Sequence, residues 1–133
     1  MHPRSSYVPK QVPTLSNAPQ PLAPYSVATE ANGFVFISGQ VALDRSGGPT
    51  PDDLVDQTRL IMDNIGSILK DLGLGYSDIV KTTVFLSDVD DFSRMNEVYG
   101  SYFESEPPAR STFQVAALPR PEFKIEIEAV VAR

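Results

Sequence analysis

TPDDLVDQTRLIMDNIGSILKDLG, residues 50–73, carries the sharpest periodicity in the chain. Leu54, Thr58, Ile61, Met62, Ile65, Ile68, Leu69 and Leu72 recur at three- and four-residue steps, which places them on one face of a helix. Thr50 can cap its start, Pro51 suits the first helical position, and Asp52 and Asp53 complement the positive end of the helix dipole. Gly73 supplies the C-terminal stop.

The segments on either side read as strands and a second helix. Tyr25 to Glu30 and Phe34 to Ser38 flank Asn32-Gly33, a pair that readily adopts the positive φ of a hairpin turn, and Ser46 to Pro49 is a loop. Ile79 to Leu86 (IVKTTVFL) is β-branched and aromatic, as a buried strand is. Ser87 to Asp91 cap a helix in which Phe92, Met95, Tyr99, Tyr102 and Phe103 share a face, and Pro107-Pro108 forbids its continuation. Ser111 to Val115 alternates, and so does Phe123 to Val131, where Ile125, Ile127 and Ala129 oppose Lys124, Glu126 and Glu128. The order β-β-α-β-α-β-β implies an α/β (α+β) chain with one mixed sheet and both helices on one face. Ile79, Phe85 and Phe113 exceed what two helices can cover, so the bare face predicts an oligomer.

Composition narrows the function. A chain of 133 residues, 41% hydrophobic and 21% charged, suits one globular domain. We expect residues 1–22 to form a proline-rich N-terminal arm and 23–133 the single domain. The net charge of −6 repels phosphate backbones, so no nucleic-acid partner is expected. No apolar stretch has the length to span a bilayer, and no membrane partner is expected. The arm lacks the apolar run of a secretory signal. Its acid-free, Ser- and Thr-containing start loosely resembles an organelle transit peptide, but prolines at 3, 9, 13, 19 and 21 oppose the amphipathic helix such a peptide forms. A cytoplasmic location is expected.

With no cysteine and one histidine, His2, the chain has neither a thiolate nucleophile nor an intrachain Ser-His-Asp triad. Arginine, carboxylates, hydroxyls and backbone amides remain. Arg110, after two prolines and an alanine at the mouth of a strand, presents a planar fork that matches a carboxylate, although a surface ion pair is the commoner fate of a guanidinium there. Glu126 and Glu128 sit on the polar face of the last strand, where solvated decoration is the common fate of a glutamate. Tyr25 starts a strand, Ser38-Gly39-Gln40 ends one with a glycine that permits close approach, and Asn96 lies off the apolar stripe of the second helix.

Together these residues match something specific. Pro24-Tyr25-Ser26, Phe36-Ile37-Ser38-Gly39-Gln40, residues 79–86, Asn96-Glu97-Val98-Tyr99, Pro108-Ala109-Arg110-Ser111-Thr112 and Ile125-Glu126-Ile127-Glu128-Ala129 resemble, in order and spacing, the RidA/YjgF family of reactive intermediate deaminases, also known as L-PSP-type "translation inhibitor" proteins. The resemblance implies a chorismate-mutase-like trimer of ferredoxin-like units with clefts between subunits. It also implies hydrolysis of small 2-imino or enamine acids to 2-oxo acids and ammonia, with neither cofactor nor metal. On that resemblance Arg110 holds the substrate carboxylate, helped by the amides of Gly39 and Thr112. Glu126 positions or activates water, and Tyr25, Ser38 and Asn96 line the cleft. The chain departs from the family pattern at Ala23, Val27 and Thr112, the last often cysteine, and in a longer loop at Leu118 to Phe123. Alternative readings are a non-catalytic trimeric binder of small carboxylates and, against the acidic charge, a ribonuclease.

Overall fold

The computed structural model describes residues 9–16, 18, 19, 21 and 23–133. His2 and the rest of the arm's first eight residues lie outside them. Five strands and two helices follow in the expected order: β1 (Ala28–Ala31), β2 (Phe34–Gln40), α1 (Leu54–Asp71), β3 (Ile79–Leu86), α2 (Phe92–Gly100), β4 (Ala109–Gln114) and β5 (Ile125–Ala132). The sheet runs β1-β2-β5-β3-β4. Its pairs are antiparallel except β3 with β4, whose parallel pairing requires the crossover that α2 provides. Asn32 and Gly33 take φ of 52° and 80° in the β1–β2 turn, the left-handed values that Asn-Gly tolerates.

Strand alternation sorts the two faces. Val35, Ile37, Val84, Leu86, Ile125 and Ile127 are buried under the helices. Phe34, Phe36 and Phe113 stand on the opposite, open face, each more than two-fifths exposed. Every residue of the proposed α1 stripe is buried, and Gln57 and Asn64 are buried with it. Gln57 is a polar clasp: its Nε2 donates to Pro51 O and Glu122 O, and its Oε1 accepts from Lys124 N. It ties the start of α1 to the chain entering β5.

Several expectations are corrected. Asp53 caps α1, its carboxylate accepting from Val55 N at 3.1 Å, while the Thr50 hydroxyl donates to Ala42 O. The helix therefore starts at Leu54, and Pro51 lies before the cap. Gly73 does take positive φ just after the helix. Ile79 is buried: an irregularity between Ile79 and Lys81 lets it pair with Val131 on the helix-covered face. α2 ends at Gly100, seven residues before Pro107, so Tyr102 and Phe103 pack on the core from the turn beyond. Phe92 is 40% exposed, outside the core face assigned to it.

The lead-in chain is attached to the sheet edge. Gln11 exchanges two backbone hydrogen bonds with Glu30 of β1, and Ser16 N donates to the Asp71 carboxylate at the end of α1.

Candidate active site

The predicted residues gather in two groups on opposite faces of the sheet. The first surrounds a break in β2. Ile37 pairs with Ala129 and Gln40 with Ile127, so three steps along β2 match two along β5, and the extra residue falls at Ser38-Gly39. Such a bulge re-aims side chains and is common beside active sites. Ser38 is pinned there: its amide donates to Val27 O and its hydroxyl to Ser26 O at 2.6 Å. An open cleft of about 320 Å³ follows, lined by Tyr25, Ser38, Gly39, Val41, Pro119, Glu126 and Glu128.

Glu126 crosses directly over Gly39. A Cβ on that glycine would overlap Glu126 Oε2 and lie 2.9 Å from its Cδ, so any side chain there displaces the carboxylate from this position. Glu126 pairs with Phe85 on β3 and Glu128 with Thr83, both on the open face. Half-buried among these groups, Glu126 has its pKa raised, first by desolvation and then by the neighbouring Glu128 charge. A carboxylate so placed is a better base than one in water.

The second group is built on the helix-covered face. Arg110 is the parallel partner of buried Thr82, so its side chain rises toward α2. Its guanidinium carbon lies 4.9 Å from the Tyr99 ring centroid and 5.6 Å from that of Phe92, and Nη1 donates to Met95 Sδ at 3.8 Å. Among the described residues no carboxylate forms an ion pair with it. The charge is held by π-faces and a thioether. Asn96 and Thr112 stand on the same two elements as these groups. Asn96 Oδ1 and Thr112 Oγ1 are buried without a hydrogen-bond partner among the described residues.

One chain therefore unites Tyr25, Ser38, Gly39 and Glu126, and separately Arg110 with α2, but it does not bring Arg110 to Glu126. Sequence reading gave Glu128 and Val41 no place in the cleft, and Pro119 one only as part of the Leu118 to Phe123 loop at its rim. The i, i+2 alternation of β5 was the available signal for Glu128. Nothing local announced Val41, which arrives by loop geometry. The stripe of Phe92, Met95 and Tyr99 was visible but looked like core.

The chain thus combines a small mixed sheet, a bulged carboxylate cleft and an arginine without an ion pair among the described residues. The family model described as endoribonuclease L-PSP matches residues 15–133. The chain belongs to that family, the RidA/YjgF proteins. It is 44% identical over 122 residues to a RutC family protein of Pyrococcus horikoshii, covering 91% of this chain and 96% of that one. It is 42% identical over 130 residues to the 2-iminobutanoate/2-iminopropanoate deaminase of Mus musculus, covering 97% and 95%. The crystal structure of E. coli TdcF with bound serine superposes with a TM-score of 0.82 at 40% identity, covering 88% of this chain and 94% of that one.

Proposed function

We propose that this protein is an imine deaminase that hydrolyses small 2-imino or enamine acids to 2-oxo acids and ammonia, in clefts assembled between the subunits of a homotrimer. The observation that carries this is the Arg110 guanidinium, aromatic-lined, partly buried and without an ionic partner among the described residues. A cation desolvated without a counter-ion is costly, and a substrate carboxylate offsets that cost with two parallel hydrogen bonds. The names of the mouse relative and of the chloroplastic Arabidopsis thaliana relative, Reactive Intermediate Deaminase A, support the chemistry.

The bare aromatic face supports assembly, because Phe34, Phe36 and Phe113 bury apolar area only against another copy. Assembly also resolves the separation of the two groups, with Arg110, Asn96 and Thr112 of one chain facing Tyr25, Ser38, Gly39 and Glu126 of its neighbour. In that cleft Arg110 anchors the carboxylate and leaves the imine carbon over Glu126. Glu126 takes a proton from water as the water oxygen bonds to C2 and the C=N π pair moves onto nitrogen, and it returns that proton to the nitrogen to give the carbinolamine. A second proton transfer from the carbinolamine hydroxyl expels ammonia as the C2=O bond forms. The iminium carbon is already electrophilic, so orientation and one tuned base meet the demand of the step. Among the described residues no helix is long and apolar enough to cross a membrane. We assign the reaction to the cytoplasm and the catalytic domain to residues 23–133, with 1–22 as its arm.

The test couples the protein to a threonine dehydratase and follows 2-oxobutanoate release while semicarbazide competes for the imine. Acceleration by the wild type, lost in Arg110→Ala and Glu126→Gln, is the expected result. An unaccelerated reaction, or a fully active Arg110→Ala, overturns the assignment.

A further inference from the structure

The residues that hold Arg110 lie outside the lining of the cleft, yet their arrangement is specific. Phe92, Met95 and Tyr99 follow at i, i+3 and i+7, one stripe of α2, and all three contact the guanidinium. Tyr99 is the inner wall. It is 4% exposed, and its hydroxyl is 2.7 Å from the Thr82 hydroxyl. Thr82 is the residue that pairs with Arg110 across β3 and β4, so the ring is fastened to the same rung of the sheet as the arginine it faces. Phe92 is the outer wall. It belongs to no part of the buried core and is 40% exposed at the first turn of α2.

We infer that Phe92 and Tyr99 are positioning residues, an aromatic clamp that holds the Arg110 guanidinium in one orientation so that its free edge meets the substrate carboxylate. An arginine side chain has four rotatable bonds and, with no ion pair to fix it among the described residues, loses that freedom when substrate binds unless something has removed it beforehand. Aromatic faces suit this task better than a carboxylate would. They restrain a cation by the ring quadrupole and leave the N–H groups in the plane of the fork free, apart from the one on Nη1 that Met95 Sδ accepts. An acidic residue in the same place would compete with the substrate. This inference rests on Arg110 being the carboxylate anchor, and it assigns a role to an exposed phenylalanine outside the residues read as lining the cleft.

The test uses the full-length protein with Phe92→Ala, Phe92→Leu, Phe92→Tyr and Tyr99→Phe, alongside Arg110→Ala. Two quantities are read: calorimetric affinity for 2-oxobutanoate, and KM and kcat in the coupled deaminase assay. Phe92→Ala and Phe92→Leu should weaken binding and raise KM about three- to tenfold, with a smaller change in kcat. Phe92→Tyr, which keeps the π-face, should stay within about twofold of wild type. Tyr99→Phe keeps the ring but frees it from Thr82, and should raise KM about threefold. Phe92 is exposed, so its variants should melt with the wild type, and a KM effect then reports orientation rather than folding. Wild-type binding by Phe92→Leu, or loss of binding in Phe92→Tyr equal to that in Phe92→Ala, overturns the clamp. Undiminished binding by Arg110→Ala overturns the anchor itself, so the two failures are distinguishable.

Discussion

Because Arg110 points to the helix-covered face and Glu126 to the open face, two inactive variants should repair one another. Arg110→Ala removes a bidentate, partly buried contact worth about 3 kcal/mol, which lowers kcat/KM about 150-fold. Glu126→Gln removes the base and should cost about 100-fold or more. In a trimer whose clefts each take Arg110 from one chain and Glu126 from the next, any mixed ring of the two variants contains one cleft with both residues intact. Its other two clefts lack one residue or both.

Tandem purification of differently tagged, co-expressed variants isolates such mixed rings, and they should recover about one third of the wild-type kcat, far above either parent. Light scattering of the same sample reads the stoichiometry. Mixed rings no more active than the parents would refute the division of the site between chains, whatever the fate of the single variants. A monomeric wild type at micromolar concentration would refute the assembly outright.

Further expectations follow from the Glu126 environment and from α1. Burial first and Glu128 second raise the Glu126 pKa, so the acidic limb of the kcat/KM profile should sit above the usual carboxylate range. Glu128→Gln removes one cause and should move that limb to lower pH. A carboxyl whose folded pKa is raised favours the native state at low pH and loses that contribution as pH climbs from the unfolded value through the folded one. At pH 7 Glu126→Gln should therefore raise the melting temperature while abolishing activity, and an unchanged limb in Glu128→Gln would contradict the coupling. Gly39→Ala must push the Glu126 carboxylate aside and should cut kcat about 100-fold, with kcat measured against a folded control by circular dichroism. Gln57→Ala loses three buried hydrogen bonds and strands the chain entering β5, so urea denaturation should report a loss of about 3 kcal/mol.

The legible and illegible parts of this chain divide by the range of the forces that set them. The α1 stripe, the Asn32-Gly33 turn and the alternation of β5 depend on neighbours within a few residues, and each stands where the pattern put it. Glu126 and Glu128 were placed on the correct face by that alternation alone. The bulge at Ser38-Gly39 was visible only as a glycine, because its meaning lies in a mismatch with β5 almost ninety residues away. Phe92 was misassigned for the same reason. A helix stripe announces that something apolar or flat lies against it, and the burial pattern of α2 alone cannot distinguish a core from the side of a guanidinium. The partner of that stripe is Arg110, delivered by a parallel crossover that is not written in any local run. Read in isolation, Arg110 was a better surface ion pair than a ligand anchor. What separates the two is the absence of a carboxylate beside it among the described residues and the presence of two rings, and both are properties of tertiary structure. The same reasoning bears on the proposed assembly. Phe34, Phe36 and Phe113 leave the second face of the sheet bare, so in the proposed trimer a bulge that opens on that face and an arginine that rises on the covered one meet where a second copy supplies the other half.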